Sequence, residues 1–243
     1  MRILYQDNYL VAIDKPPDLL VHRTGLDAGE TQFAVQQLRD QLGRPVWPAH
    51  RLDKGTSGVL LFALNAQTAA HLGAAFEATG QVHKTYRAVV RGWPPAVGLL
   101  DHPLKRMRDD ARAGRCEAQP AQTRWRTLAH YALPCADRAF SHTRCALVEL
   151  EPLTGRRHQL RRHLKHLAHP IIGDATHGKG PLNRALAPML GGPRLWLHAH
   201  QLALSHPVLA TPLQIVAPID ADWARWTAWQ VSAAAYPGMN TPG

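Results

Sequence analysis

Residues 50–63 read HRLDKGTSGVLLFA. Four polar or charged side chains, His50, Arg51, Asp53 and Lys54, run through a glycine-containing turn into Val59, Leu60, Leu61 and Phe62. A short unbroken apolar run bounded by turn residues predicts a buried strand, here Val59–Leu64. A carboxylate between two cations stays ionised, because the neighbouring positive charges lower its pKa. On an open surface Arg51, Asp53 and Lys54 make an ion pair of little energetic weight. At the mouth of a buried strand, in a partly dry site, the same carboxylate is a nucleophile or a base.

Upstream, ILYQDNYLVAIDKPPDLLVH alternates short apolar runs with turn residues, which predicts two strands around Asp7-Asn8 and a loop at Lys15–Asp18. Phe33, Ala34, Leu38 and Leu42 share one face of a helix over Thr31–Leu42 that stops at Gly43. Downstream, a helix over Gln67–Ala78 and a strand over Tyr86–Val90 are expected. Residues 101–122 are polar and basic and read as a long exposed loop with a hairpin, where Lys105, Arg106, Arg108, Arg112 and Arg115 offer a grip on RNA that Asp109 and Asp110 oppose, the alternative being a plain surface loop. Further strands fall at Ala146–Leu150, Leu195–Leu204 and Leu213–Val216, with a turn over Pro152–Gly155 and a helix over Arg157–Ala168 before Pro170. Trp223, Trp226 and Trp229 recur every third residue, a core-packing stripe. Strands and helices do not alternate as a doubly wound parallel sheet requires, so the fold class is α+β with mainly antiparallel pairing, in a single domain over residues 1–243.

The 243 residues are 45% hydrophobic and 19% charged, enough apolar content for a sizeable core and too little charge for a disordered chain. Lys and Arg number 28 against 18 acids, a formal net charge of +10, which favours a polyanionic partner. The 3 cysteines, Cys116, Cys135 and Cys145, include no CxxC pair, as in a reducing compartment. No signal peptide and no membrane-length apolar run is visible, so a cytoplasmic protein without a membrane partner is expected.

Three stretches imitate known motifs. GDATHGKG at 173–180 nearly matches a phosphate-binding loop but ends in Gly180, where the magnesium-binding hydroxyl belongs. HRLD inverts the kinase order H-R-D-L and has no Gly-rich loop beside it. GTSG lacks the spacing of a nucleophile elbow. His158, His163, His166 and His169 do not share one helix face and have no Cys, Asp or Glu between 152 and 173, so no metal is expected.

The stretch TGRRHQLRRHLKHLAHP, from Thr154 to Pro170, carries Leu160, Leu164 and Leu167 on a core-facing stripe. Arg156, Arg157, Arg161, Arg162 and Lys165 surround that stripe, and no acid occurs from Thr154 to Gly173. Such a run predicts a basic face for a phosphate backbone, or a solvated face. Hydrolysis of a glycosidic bond usually needs two carboxylates. The single Asp53 fits a reaction that consumes no water, such as an isomerisation.

Five ordered motifs resemble the RluA-type pseudouridine synthases, which convert uridine in RNA to its C-glycosidic isomer. They are HRLDKGTSGVLLFA at 50–63, KTYRAVVRG at 84–92, LTGRRHQLRRHL at 153–164, HPIIGDATHG at 169–178 and LHAHQLALSHP at 197–207. ILYQDNYLVAIDKP at 3–16 resembles the family's opening motif, and starting there leaves no room for an N-terminal S4 domain. The resemblance implies a bisected, mainly antiparallel β-sheet with flanking helices and no cofactor. Asp53 is implied as the catalytic residue. Arg51 is implied to displace the target nucleotide, Tyr86 to stack on the flipped uracil and Arg161 to pair with Asp53. The type that modifies tRNA at uridine 65 is the most similar, His177 included, although Lys54-Gly55 departs from its usual pair. The implied partner is RNA, tRNA before 23S ribosomal RNA, with no protein partner. An RNA-binding module with an idle site and a metal-dependent hydrolase are the readings from other classes.

Overall fold

The strand expected at Val59–Leu64 forms over Ser57–Ala63, and all seven of its residues are buried. In chain order the elements are β1 (Arg2–Gln6), β2 (Leu10–Lys15), α1 (Ala34–Leu42), β3 (Trp47–Pro48), β4 (Ser57–Ala63), α2 (Ala66–Glu77), β5 (Val82–Arg91), β6 (Val97–Asp101), β7 (Leu104–Lys105), β8 (Ala118–Gln119), β9 (Gln122–Leu133), β10 (Thr143–Pro152), α3 (Gln159–His166), α4 (Gly180–Leu186), β11 (Leu197–Ser205), β12 (Pro212–Val216) and β13 (Gln230–Val231). A 3₁₀ helix over Ala221–Trp229 precedes β13. This computed structural model describes residues 1–23, 29, 31–107, 117–135 and 141–232. Two compact units result: Met1–Tyr86 with Leu197–Ile219, and Arg87–Trp196 with Asp220–Gly243.

In the first unit, β2 pairs antiparallel with β1 and β4, β3 with β4, and β11 with β12. Alternate residues of β2 and β4 enter two cores, as the period of two in a strand dictates. Val11, Ile13, Leu60 and Phe62 pack with Ala34 and Leu38 of α1. Leu10, Ala12, Val59 and Leu61 pack with Leu72 of α2. Helices on both faces explain why β4 has no polar alternation. Each Val, Leu, Ile or Phe among them contributes about 1.5–3 kcal/mol by leaving water.

Strand β4 also pairs parallel with β11, through His198↔Ser57 and Ala199↔Gly58. Gly58 has φ +107, and a Cβ there would run into the Ala199 carbonyl. Only glycine allows this close approach beside the Asp53 loop. The pairs β1–β2, β2–β4, β3–β4 and β11–β12 are antiparallel, and the fold is α+β as expected.

The second unit is built on β9 and β10, which pair from Thr143↔Leu133 to Pro152↔Thr123 with an irregularity between Leu147 and Val148. Strands β6 and β13 pair with β9 as well. The expected hairpin in the basic stretch exists as β7 against β8, Leu104↔Gln119 and Lys105↔Ala118. Lys105 and Arg106 lie in the described part, while Arg108, Asp109, Asp110, Arg112, Arg115 and Cys116 lie outside the described residues. The three-residue tryptophan spacing is that of a 3₁₀ helix, in which i and i+3 eclipse. Trp223 and Trp226 are buried, each edge-on to Trp196 with ring centroids 5.3 Å apart. Cys145 is a buried free thiol and Cys135 a partly buried one. No helix among the described residues is long and apolar enough to cross a membrane.

Candidate active site

The opening motif alternates in and out of the first unit. Leu52 is buried in the α1-side core, while Arg51 is exposed and Asp53 half-buried. The Asp53 carbonyl accepts the Thr56 N–H at 3.0 Å, which closes the turn between the carboxylate and β4. Ser57 Oγ lies 2.9 Å from Nδ1 of His198, whose Nε2 faces the Ala217 carbonyl at 3.3 Å. A carbonyl can only accept, so Nε2 carries the proton and Nδ1 takes the serine hydrogen. This buried pair fastens the turn to β11.

His50 turns inward. Its ring stacks on Phe76 with centroids 4.9 Å apart, and Nε2 accepts the Leu61 N–H at 3.2 Å. Burial and the charge of Lys84 lower its pKa to about 3, so it is a neutral staple at working pH.

Lys15 is fully buried at the end of β2. Its Nζ donates to the carbonyls of Pro16 and Leu19, each at 2.8 Å, and of Lys54 at 3.0 Å. Burial pulls its pKa down to about 7, with the charges of Asp18 and Asp53 opposing the shift. Three carbonyl acceptors match the three N–H bonds of an ammonium, whereas a neutral amine has two, so the cage favours the charged form. Lys15 thus ties the Lys15–Leu19 loop to the residue after Asp53 and places a cation within electrostatic reach of it.

Tyr86 packs its ring on the α1-side core. Burial, then the charge of Asp53, pushes its hydroxyl pKa up and keeps it neutral. His22 is held below its usual pKa by burial and by the positive charge of Arg51. In the first unit the charge of Asp53 thus acts on Lys15 and Tyr86, and that of Arg51 acts on His22.

Arg161 lies in the second unit, and the expectation of an exposed basic helix is corrected for it. It is 8% exposed and forms a bidentate ion pair with Asp174, Nε to Oδ2 and Nη2 to Oδ1, both at 2.8 Å. Oδ1 also accepts the N–H groups of Thr176 at 2.9 Å and His177 at 2.8 Å. Burial alone raises the Asp174 pKa, but the Arg161 and backbone hydrogen bonds and the Arg161 charge outweigh it and hold the carboxyl below its ordinary range.

His163 is also not on an RNA-facing surface. It is 1% exposed, with Nδ1 on Thr123 Oγ1 at 2.9 Å and Nε2 on the His102 carbonyl at 3.0 Å. Both ring nitrogens are occupied, and no group of three metal-ligating side chains occurs among the described residues. The leucine stripe behaves as expected for Leu160 and Leu164, which are buried, and Leu167 is half-buried.

Two residues that the geometry singles out, Lys15 and Asp174, are not among the candidates the sequence offers. Lys15 falls in the stretch expected to be a loop, and the one sequence signal at Asp174 is that it is the first acid beyond the basic stretch.

Residues 9–166 match the model of the RNA pseudouridylate synthase family. The chain belongs to that family. Synthase motifs therefore run through both units. The chain is 48% identical to the tRNA pseudouridine synthase C of Vibrio cholerae over 227 residues, 92% of this chain and 93% of the relative. It is 47% identical to the tRNA pseudouridine synthase C of Pasteurella multocida, with 92% and 93% covered. Among solved structures, human RNA pseudouridylate synthase domain containing 1 is similar over 99% of this chain and 95% of its own, with TM-score 0.72 and 27% identity. This synthase is an isomerase.

Proposed function

We propose that this synthase converts a specific uridine of tRNA, position 65, to pseudouridine in the cytoplasm, using Asp53 as the catalytic carboxylate within a single catalytic domain. The curated relatives at nearly half identity, matched over more than nine-tenths of their length, support tRNA as the substrate class. The observation that carries the site is the neighbourhood of Asp53, where Lys15 supplies positive charge and Tyr86 a neutral ring.

The chemistry follows from those groups. A uracil in a stem must leave its stack at a cost of a few kcal/mol. Arg51, exposed beside Asp53, pairs with the displaced backbone and fills the gap. Tyr86 offers a stacking face worth about 1–3 kcal/mol. Arg161 is the cation that the family resemblance assigns to the same reaction. Asp53 attacks the ribose C1′ or removes the 2′ proton. Either way the N1–C1′ bond breaks and uracil rotates; the C5–C1′ bond then forms as the Asp53–C1′ ester breaks or as the 2′ proton returns from Asp53 to C2′, and the C5 proton leaves to water.

The test offers the purified protein unmodified tRNA transcripts carrying tritium at uracil C5, beside a 23S ribosomal RNA fragment labelled in the same way. Tritium released from tRNA alone, and lost when uridine 65 is replaced by cytidine, is the expected result. Release from the ribosomal fragment alone overturns the tRNA assignment.

A further inference from the structure

The stretch Gly173–Gly180, which imitates a phosphate-binding loop, has a different use. Asn183, on α4, brackets its first two residues: Oδ1 accepts the Gly173 N–H and Nδ2 donates to the Asp174 carbonyl, both at 3.0 Å. The Gly178 N–H returns to the same Asp174 carbonyl at 3.1 Å. Gly173 has φ +77, and a side chain there would strike the Arg194 carbonyl. Backbone and side chain of Asp174 are thus fixed together, by Asn183 and Gly178 behind and by the Thr176 and His177 N–H groups in front.

What this loop presents is a fully buried carboxylate edge, both oxygens of which meet Arg161 at 2.8 Å. A bidentate carboxylate sets the plane of a guanidinium as well as its position. Using Nε and Nη2 directs the third nitrogen, Nη1, away from Asp174. A flexible arginine on a basic helix otherwise samples many rotamers.

We propose that Asp174 is a positioning residue of the synthase, which orients Arg161 for the reaction and is itself held by Asn183. The inference rests on the reading of Arg161 as an active-site residue. The Asp174 side chain is fully buried and acts through Arg161, so its effect falls on turnover more than on RNA capture.

The experiment measures kcat and KM for unmodified tRNA with Asp174→Asn, Asn183→Ala, Arg161→Lys and the Asp174→Asn/Arg161→Lys double variant. In Asp174→Asn the turn acceptor for Thr176 and His177 is retained, but an amide N–H₂ faces Arg161 Nε, so the plane is no longer fixed. The expected result is a kcat reduced about 30- to 100-fold with KM within about threefold, and no further loss when Asp174→Asn is added to Arg161→Lys. Asn183→Ala keeps the ion pair and is expected to lower kcat about three- to tenfold, which carries the test if Asp174→Asn fails to fold. Wild-type kcat in Asn183→Ala and in folded Asp174→Asn, or full additivity with Arg161→Lys, overturns the proposal. Wild-type kcat in Arg161→Lys instead overturns the underlying reading of Arg161.

Discussion

The ammonium of Lys15 reaches the carbonyl of Lys54 across 39 positions of sequence, at 3.0 Å. The end of β2 therefore holds the residue that follows Asp53, the proposed catalytic carboxylate. Replacing Lys15 by Met keeps the aliphatic stem and removes three hydrogen bonds. A buried carbonyl left unpaired costs about 1–3 kcal/mol. Urea unfolding of Lys15→Met is expected to show stability lowered by roughly 2–4 kcal/mol, with kcat reduced in the variant that remains folded. An unchanged midpoint and unchanged kcat contradict this role.

Arg51 gives the opposite pattern. It is exposed, and its neighbour Leu52 supplies the packing. Substitutions at such surface positions usually stay within about 0.5 kcal/mol. Arg51→Ala is expected to melt like the parent and to lose at least tenfold in kcat/KM on tRNA. Parental turnover in Arg51→Ala removes it from the site.

Protonation of buried histidines sets the acid side of stability. His50 has its pKa lowered to about 3 and His177 to about 4, against 6.5 when unfolded. Between the two values the unfolded chain binds the proton and the folded chain does not, so stability rises with pH in that window. Denaturant midpoints are expected to fall as pH drops from about 6.5 toward 4, with a shallower fall in His50→Gln. A flat profile over that window is the contrary outcome.

The Gly58 contact predicts a structural failure beside an intact carboxylate. In Gly58→Ala the methyl meets the Ala199 carbonyl, and φ stays in a region that disfavours any side chain. Loss of soluble protein, or a large fall in melting temperature with the Asp53 chemistry untouched, is expected. A soluble variant melting like the parent shows that β4 and β11 part easily.

Much of this was legible in the sequence, for physical reasons that differ by element. Strand β4 and helix α1 declare themselves because both sides or one side of each must be apolar. Strand β9 did not, since Arg124 and Arg126 on it are exposed and find Glu151 at 3.5 Å and Glu149 at 2.8 Å on the next strand, a pairing invisible along the chain. Short α4 carries little periodicity. Arg161 looked like its basic neighbours because charge patterning ignores partners 13 residues away. The motifs located Asp53, Arg51, Tyr86 and Arg161 as candidates, whereas Lys15 and Asp174 needed coordinates, because what marks them is a cage of carbonyls and a bidentate contact.

If the Asp53 carboxylate performs the isomerisation, single-turnover release of C5 tritium from tRNA is lost in Asp53→Ala. No release above background is expected, while the variant still binds tRNA with an affinity near the parent's. Release at the parental rate by Asp53→Ala would contradict that role of the carboxylate.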